Sequence, residues 1–476
     1  MTMPTAGAPA PPALPSHEDR VVRGASTAIG GPVGRHALLG GRWARLPVWT
    51  VLALTCVTLL LGWVQKAPCR VHPWTSEYQY TRMCYSDVFA LYFAEGLADG
   101  KTPYADHPVE YPVVIGGLME AGAKLAAHWP KEERPRRFFD LTSLMLAGCG
   151  LVMVATTLGL AGRRRPWDAA MVALAPVLVL HAYTNWDLAA AALTGLGLLA
   201  WARRRPGWAG VWLGLGTATK LYPVLLLVPL FLLCLRMRRL PEFRRTALAA
   251  AAAWLVVDLP VWVAYPDSFG RFFALNRTRG ADWDSLWFGL QHLRGRALDV
   301  GLPPGAAPTV LNAVVAGGFL LALVGIAALA LRAPVRPRLA QLVFLTLVAF
   351  LISNKVFSPQ YSIWLLPLAV LARPRWPAFL AWQASELFLL FLRFYFFVGQ
   401  DKPGTGVPTE LFLTGVLLRD VTLLLLAALV VRDVLVPAGD VVRRSGYDDP
   451  TGGVLVTEEQ RSGPARRRLP RFAPTG

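Results

Sequence analysis

Apolar segments recur along the chain from residue 47 to residue 432, separated by short polar stretches. A transmembrane helix needs about 20 apolar residues, and several of these segments are too short to cross a bilayer alone. Hydrophobic residues make up 54% of the chain, which excludes an ordinary soluble protein. The pattern predicts an all-α polytopic membrane protein, a bundle of about 12 transmembrane helices. The predicted spans are 47–64, 138–160, 168–183, 187–202, 208–219, 221–235, 246–264, 308–331, 339–353, 361–373, 377–398 and 410–432.

The net charge of +18 is carried by arginines that cluster at the ends of apolar segments. Such clusters are typical of cytoplasmic loops and lie beside anionic headgroups. We therefore attribute the positive charge to cytoplasmic loops that set the topology and contact the lipid bilayer. We expect no nucleic-acid partner. The clusters are Arg163 to Arg165, Arg203 to Arg205, Arg236 to Arg245, Arg332 to Arg338, and Arg373 with Arg375.

Arg42 and Arg45 precede the first span and are placed in the cytoplasm by the same rule. Alternating the spans from there puts all the arginine clusters on the cytoplasmic side. This parity predicts a multi-pass plasma-membrane protein with its distinctive polar residues on the extracytoplasmic face. The outer pieces are 65–137, 184–187, 265–304 and 354–360.

The stretch 111–127 is ambiguous, because a full span there would move every later arginine cluster outside. Charged residues lie in or beside it, including Glu120 and Lys124. The parity and these charges favour an interfacial or re-entrant helix, packed beside a second such helix over 86–98. The sequence does not decide between spanning and re-entrant forms.

Polar segments flank the predicted membrane domain, 47–432. Residues 1–46 are rich in Pro and Ala, contain no cleavable signal peptide and predict a disordered cytoplasmic segment, so the first span is a retained anchor. Residues 433–476 predict a disordered cytoplasmic tail without a core.

Two of the five cysteines, Cys69 and Cys84, lie in the long first outer loop, 65–137. If that loop faces an oxidising compartment, they can form a disulfide that braces the segment before Asp87. We predict this bond, although the sequence alone leaves it open.

Asp87 follows Ser86 at the start of an amphipathic run in the same loop. Ser86 can cap a helix that begins at Asp87 and presents Phe89, Phe93 and Leu97 along one side. The carboxylate then has two possible roles. It can complement the helix dipole, or it can act as a general base in the headgroup layer.

Four sets of residues, taken in order, resemble members of glycosyltransferase family 87 of the GT-C superfamily. The actinobacterial proteins of this family are mannosyltransferases that use polyprenyl-phosphate-mannose. The resemblance implies a GT-C type bundle over about residues 47–432, leaving only the two tails outside. The matching residues are 84–87 (CYSD) with Tyr92, Gly96-Leu97, Pro103-Tyr104 and 110–113 (EYPV); 216–223 (GTATKLYP); 279–282 (RGAD) with Ser285 to Trp287; and 354–361 (NKVFSPQY).

The resemblance implies an inverting transfer in which an acceptor hydroxyl attacks a sugar carried by polyprenyl phosphate, with Asp87 as the general base. A phosphate leaves as a stable anion, so the reaction does not require a second, acidic carboxylate. The chain contains no Walker loop, Cys-x-x-Cys pair or His-x-x-x-His spacing, so we expect neither a nucleotide cofactor nor a metal.

Cations near the outer face are candidates for contact with the donor phosphate, because an uncompensated charge in a membrane tends to mark a site. We assign this role to Lys220 and Lys355, with Arg277 and Arg279 as a second pair. The alternatives are that the lysines snorkel to the interface and that the arginines touch anionic lipid.

Further polar residues of the outer pieces are candidate substrate ligands, and for each the alternative is a structural role. Glu386 and Arg393, two helical turns apart in one apolar span, predict an internal polar network. The candidate ligands are Glu110, His107, Asp187, Asp282, Gln360 and Tyr361.

The sequence thus predicts a membrane mannosyltransferase whose partners are a polyprenyl-phosphate sugar donor and a cell-envelope glycolipid or lipoglycan acceptor. The same chemistry with arabinose or another sugar is an open alternative. A lipid-linked-sugar flippase or transporter would also contain broken helices and buried charges. The absence of a visible internal repeat, and polar residues on one face, argue against it. An inactive scaffold would need no acid at position 87.

Overall fold

The computed structural model describes residues 19–22, 24, 25, 46–72, 74, 77–162, 165–303, 305–445 and 448–456. Within these residues the regular structure is helical, apart from one isolated β-bridge between Pro103 and His107. The α-helices are α1 Leu46–Val71, α2 Tyr78–Thr81, α3 Asp87–Ala94, α4 Val113–Ala126, α5 Arg134–Ala161, α6 Ala170–Ala173, α7 Pro176–His181, α8 Asp187–Ala202, α9 Pro206–Thr219, α10 Leu227–Arg236, α11 Leu240–Ala264, α12 Pro266–Thr278, α13 Leu286–Leu293, α14 Thr309–Arg332, α15 Leu339–Ser353, α16 Ser362–Ala372, α17 Trp376–Asp401, α18 Thr409–Leu435 and α19 Val441–Arg444.

Six of these helices, α1, α5, α11, α14, α17 and α18, are long and apolar enough to cross a membrane. They coincide with six of the predicted spans, so the all-helical, multi-pass character is confirmed. The other predicted spans are shorter or broken. For example, 168–183 is divided into short helices, and Pro166 and Pro176, each of which lacks an amide donor, begin two of the pieces. A total of about 12 crossing helices therefore stays a prediction.

The ambiguous stretch 111–127 forms one helix, α4, of 14 residues. Its length of about 21 Å is less than the roughly 30 Å of a hydrocarbon core. The length agrees with a helix that does not cross, while its placement at an interface stays a prediction.

The core of the bundle is formed by three helices that other helices cover on all sides. Most residues of α8, α15 and α16 are buried, and the largest fully buried side chains include Trp186, Trp201 and Phe344. Small residues allow other helices to pack closely. A Cβ on Gly214 of α9 would lie 2.3 Å from the carbonyl oxygen of Ala250 in α11, so this crossing requires glycine.

The helices run between two poles. Asp187 begins α8 and Arg203 follows its end, whereas Arg338 precedes α15 and Lys355 lies just beyond its end. We call the two ends of the bundle the Asp187 pole and the Arg338 pole. Asp187 and Lys355 thus lie at one pole, and the arginines that flank the same helices lie at the other, as the predicted parity requires.

The C-terminal segment differs from its prediction. The sequence predicts a tail without a core from residue 433, but the described residues up to 456 pack on the Arg338 pole. Arg338 Nε lies 2.7 Å from Asp440 Oδ2, and both residues are buried. The indole Nε1 of Trp201 donates to the carbonyl of Gly452 at 3.1 Å. The prediction of disorder is wrong for 433–445 and 448–456, because buried arginines of the bundle recruit acids from this polar stretch.

Parts of the predicted tails and arginine clusters fall outside the described residues. Of the segment 1–46, Asp19 is buried and its Oδ2 accepts from the backbone N–H of Trp376 at 3.0 Å. Among the residues not described are Arg42, Arg45, Arg163, Arg164 and the range 457–476.

Candidate active site

A cavity of about 630 Å³ opens at the Asp187 pole and contains most of the predicted site residues. It lies where the ends of α1, α9, α12 and α15 meet the start of α3 and the break before α16. Segments more than 200 residues apart therefore share one wall. Of the predicted site residues, those lining it are Asp87, Glu110, Lys220, Arg279, Asp282, Lys355, Gln360 and Tyr361, whereas Arg277, His107 and Asp187 do not.

Asp87 begins α3 at the cavity wall, as predicted, but Ser86 does not cap the helix with its side chain. Ser86 Oγ instead donates to the carbonyl of Tyr183 at 2.6 Å, and the Asp87 N–H donates to the carbonyl of Thr184 at 2.7 Å. These bonds fix the helix start on the α7–α8 connection. The predicted face is also different, because α3 ends at Ala94 and buries Val88 rather than Phe93.

The carboxylate of Asp87 is held by two side-chain amides. Its Oδ2 accepts from Asn185 Nδ2 at 2.8 Å and from Gln360 Nε2 at 3.4 Å. The negative charge of Asp87, followed by burial, raises the pKa of the Tyr85 phenol. The phenol therefore stays neutral beside the carboxylate. The base candidate is thus partly buried and oriented by donors.

Asn185 was missed in the sequence. Its Oδ1 accepts from Lys220 Nζ at 3.2 Å, while its Nδ2 also donates to the Tyr111 hydroxyl at 2.7 Å. Because lysine only donates and an ionised carboxylate only accepts, these partners fix the orientation of the amide. The available signal was the polar interruption 184–187 between two apolar segments, of which only Asp187 was selected.

Lys220 lines the cavity and forms an ion pair with a buried acid, Asp187, on the side away from the cavity. Its Nζ lies 3.2 Å from Asp187 Oδ1, which also accepts from Trp364 Nε1 at 2.7 Å. Asp187 is fully buried and does not reach the cavity surface. The predicted substrate contact for Asp187 is therefore not supported, and the acid supports Lys220 instead.

Lys355 lines the cavity without a carboxylate within 4.0 Å among the described residues. Its Nζ donates to the carbonyl of Arg279 at 2.6 Å and to Asn312 Oδ1 at 2.6 Å. Burial, followed by repulsion from Arg279, lowers the pKa of Lys355. A buried amine of this kind gains from the approach of an anion.

Arg277, Arg279 and Asp282 surround the same lysine. The exposed Arg279 lines the cavity, whereas Arg277 contributes only its carbonyl, 3.4 Å from Lys355 Nζ. The Asp282 N–H donates to the Lys355 carbonyl at 2.8 Å, and burial raises the pKa of its carboxyl. Arg277 is therefore not supported as a cavity residue.

Glu110 and His107 lie in the loop before α4 and separate in the structure. Glu110 lines the cavity, and burial raises its pKa. His107 Nε2 lies 3.2 Å from Glu95 Oε2, outside the cavity lining, so this predicted ligand braces the loop. Burial also raises the pKa of Glu95, to about 7.

Stacked aromatic rings form one wall of the cavity. Tyr361 stacks on Trp364 with ring centroids 4.0 Å apart, and Trp364 stacks on Tyr222 at 4.4 Å. The amine of Lys220 lies 5.7 Å from the Tyr361 ring and 5.1 Å from the Tyr111 ring, within the range of cation–π attraction. Tyr361 thus contributes a flat, partly apolar surface of the kind that sugar rings stack on.

The predicted disulfide between Cys69 and Cys84 is confirmed, with Cα atoms 5.6 Å apart. It joins the end of α1 to the segment before Asp87. One turn earlier, Gln65 donates to the carbonyl of Met83, and Lys66 Nζ donates to the carbonyl of Tyr85 at 2.9 Å. The base candidate is therefore tied to α1 as well as to the α7–α8 connection.

Glu386 and Arg393 do not form one network. Glu386 Oε1 accepts from Ser362 Oγ at 2.5 Å and from Trp382 Nε1 at 2.8 Å. Arg393 Nε donates to Asp284 Oδ2 at 2.8 Å, and Arg393 lines the cavity. The two residues are two helical turns apart, which is too far for a direct contact. Each side chain therefore bonds to different partners.

An apolar groove of about 400 Å³ adjoins the cavity and shares Tyr111, Pro112, Leu221, Phe272 and Phe273 with it. Its other lining residues come chiefly from α9 and α11. A ligand with a polar head and an apolar chain can therefore occupy both. In the described part of the chain, no three His, Cys, Asp or Glu residues are grouped to hold a metal ion.

The model of glycosyltransferase family 87 matches residues 136–359 of the chain. The match contains Lys220, Arg279, Asp282 and Lys355, and it ends just before Gln360. Among curated proteins, none matches the sequence of this chain.

Proposed function

Because the chain belongs to glycosyltransferase family 87, and is thus a membrane glycosyltransferase, we propose that it moves mannose from a polyprenyl-phosphate donor to an envelope glycolipid or lipoglycan. The observation that carries this proposal is the position of Asp87. Its carboxylate is held by Asn185 at the wall of a cavity that also contains Lys220, Arg279 and Lys355.

In the proposed reaction, Asp87 removes the proton from an acceptor hydroxyl as the oxygen attacks the anomeric carbon. The bond from that carbon to the phosphate oxygen breaks, and its electron pair leaves with polyprenyl phosphate. This single displacement inverts the anomeric centre. Asn185 supports the role by fixing the carboxylate, since a base has to lie within hydrogen-bond reach of the proton it takes.

Lys355 and Arg279 are the preferred ligands of the departing phosphate. Lys355 is buried without a nearby carboxylate, and Arg279 is exposed at the same wall. Preorganised cations stabilise charge that grows on the leaving oxygen. Lys220 shares its charge with Asp187, so its part is to orient Asn185 and to add a weaker contact to phosphate.

The adjoining apolar groove supports a lipid-linked substrate. Its walls suit the first isoprene units of a donor whose phosphate lies in the polar cavity. The separation of the cavity from the arginine clusters supports a plasma-membrane location with the site on the extracytoplasmic face.

A flippase is the rival from another class, and it would need a polar path between the two poles. The polar cavity residues instead collect at the Asp187 pole, which favours catalysis. Arabinose or another sugar would use the same base and phosphate ligands, so sugar identity has to come from the assay.

Purified protein incubated with radiolabelled polyprenyl-phosphate-mannose and mixed envelope glycolipids tests the proposal. We expect label in a larger glycolipid, with an inverted linkage and release of polyprenyl phosphate. Asp87→Asn protein is the matched control. Movement of intact donor across proteoliposomes without any product would support the flippase and overturn the transferase.

A further inference from the structure

A separate apolar groove of about 670 Å³ lies on the side of the bundle. Its floor is α15, and its walls are α14 and α18, which both pack on α15. Among the described residues, the lining of this groove and the lining of the active-site cavity have no member in common. We call it the α14–α18 groove. The proposed reaction does not use it.

The groove follows the length of a membrane-spanning helix. Its lining residues on α14 extend from Gly318 to Arg332, about 21 Å at the rise of a helix. One end lies beside Trp287, whose indole Nε1 donates to the carbonyl of Ser353 at 2.7 Å. The other end lies at the Arg338 pole, where α14 and α18 end. One leaflet is about half of the roughly 30 Å hydrocarbon core, so a lipid chain from one leaflet fits along this groove.

The glycines of α14 keep the groove open. Gly214 of α9 permits two helices to pack closely, but a Cβ on Gly325 of α14 would meet no atom within 4 Å. A Cβ on Gly318 would reach only the side chain of Ser353, at 3.8 Å. Glycine weakens a helix interior, so a glycine that packing does not require points to another use. Here its use is the depth of the groove.

Two arginines without acidic partners frame the end of the groove at the Arg338 pole. Arg332 is the charged residue of the lining, and in the described part of the chain its side chain has no hydrogen bond or ion pair. Arg236 of α10 lies beside it and donates to the carbonyls of Ala330 and Ala333, each at 2.8 Å. No described carboxylate lies within 4.0 Å of Arg236. Both positive charges are therefore uncompensated.

An apolar furrow with two free positive charges at one end matches an acidic phospholipid. Basic pockets between membrane helices on the cytoplasmic side hold acidic headgroups, and the predicted parity places the Arg338 pole on that side. A helix from a second copy fits less well. The described lining contains no Asp or Glu, so a copy that presented the same face would bury both guanidinium groups without an acid.

We propose that the α14–α18 groove binds one acidic phospholipid of the cytoplasmic leaflet, with a chain along α14 and the phosphate between Arg332 and Arg236. This lipid is neither donor nor acceptor, so the site goes beyond the proposed function. It would cover a helix of which only 11% of the apolar window is buried. The same helix carries Asn312, which accepts from Lys355 Nζ at 2.6 Å, so a lipid that steadies α14 also steadies this lysine.

The test titrates full-length protein in mild detergent with phosphatidylglycerol or with phosphatidylcholine that carries the same chains. Native mass spectrometry counts the bound lipids, and thermal melts follow the stability of the protein. We expect one site that binds phosphatidylglycerol about tenfold more tightly or better, because two guanidinium groups attract its net negative charge. Saturation of this site should raise the melting temperature, since the lipid binds only the folded protein.

Two variants separate the charge of the site from its shape. Arg332→Gln should lose the preference for phosphatidylglycerol, and Gly325→Leu should fill the groove and lose the tight site for both lipids. Gly317→Leu is the matched control for shape, because Gly317 is an exposed glycine of α14 with open space around it and lies outside the lining. Arg245→Gln, an exposed arginine near the start of α11 at the same pole, is the control for charge. Both controls should bind as the wild-type protein does.

Equal affinity of the wild-type protein for the two lipids would overturn the proposal. A preference that persists in Arg332→Gln would do so too, as would an unchanged lipid count in Gly325→Leu. A dimer that is lost in Gly325→Leu but kept in Gly317→Leu would assign the groove to a second copy instead of a lipid. Sugar transfer does not enter these measurements, so failure of the proposed function and failure of the lipid site are told apart.

Discussion

Asn185 Nδ2 lies 2.8 Å from Asp87 Oδ2, across 98 residues of sequence. The other end of the same amide accepts from Lys220, so one side chain connects the candidate base to a buried lysine and, through it, to Asp187. The carboxylate therefore has one preferred orientation before any substrate arrives. Preorganisation of this kind is what makes a base effective.

Replacing Asp87 with Asn should nearly abolish sugar transfer while leaving the fold and donor binding intact. Asparagine keeps the shape but cannot take a proton at neutral pH, and general-base catalysis contributes about 10²- to 10⁴-fold. Turnover per folded molecule should fall to about 1% or less. A variant that works at more than about a tenth of the normal rate would remove Asp87 from the mechanism.

Asn185→Ala should lower kcat and leave the KM for donor nearly unchanged. The variant keeps the carboxylate but loses the hydrogen bond that orients it. A hydrogen bond to a charged group is worth about 1.5–3 kcal/mol, so a loss of about 10- to 100-fold is expected. Steady-state kinetics measure the split. A rise in donor KM at constant kcat would mean that Asn185 binds substrate instead of positioning the base.

Lys355→Met should slow transfer because it removes a cation from the departing phosphate. The expected loss is about 2–4 kcal/mol in transition-state stabilisation, as for other preorganised contacts. The exposed Lys124→Met variant provides the comparison. Near-normal turnover of folded Lys355→Met protein would leave Arg279 as the remaining phosphate ligand.

Serine at Cys69 or Cys84 should lower the stability of the protein and its activity together. A disulfide that closes a loop of this size is worth about 2–4 kcal/mol, and here it also holds the approach to Asp87. Thermal melts and transfer rates measure the two effects, with the free and exposed Cys56→Ser as the control. Both thiols free in a mass spectrum of unreduced peptides would contradict the bond.

The buried Glu95 predicts a pH-dependent stability. Burial raises its folded-state pKa to about 7, above its unfolded value, so the folded protein binds the extra proton. Stability from this residue is complete below the unfolded pKa and is lost as pH rises through about 7. Glu95→Gln should therefore raise the melting temperature at pH 8, by about 2 °C or more, and lose this advantage at pH 4. An equal shift at both values would disprove the ionisation.

The six long helices could be predicted from the sequence because a long apolar run has few alternatives in a membrane. The start of α3 at Asp87 was also visible, since turn residues and an amphipathic run mark it locally. Asn185 and Lys66 were not visible. Each is an isolated polar residue whose importance comes from partners in distant segments, and the period of a helix carries no such information.

The structure also changes the roles of two residues that were selected from the sequence for their charge alone. Asp187 and His107 were expected at the substrate, but both lie outside the cavity lining, where Asp187 is paired with Lys220 and His107 with Glu95. A charge in an outer loop looks the same in sequence whether it meets ligand or protein.

The packed C-terminal segment has a consequence for how the protein is made. Arg338 is synthesised before its partner, because Asp440 lies 102 residues later in the chain. Until then the guanidinium has to remain hydrated or borrow carbonyl oxygens such as those of Leu371 and Ala372, to which it donates in the finished protein. The bundle can therefore close at its Arg338 pole only after translation has passed residue 440, which makes the docking of the segment around Asp440 a late step in its maturation.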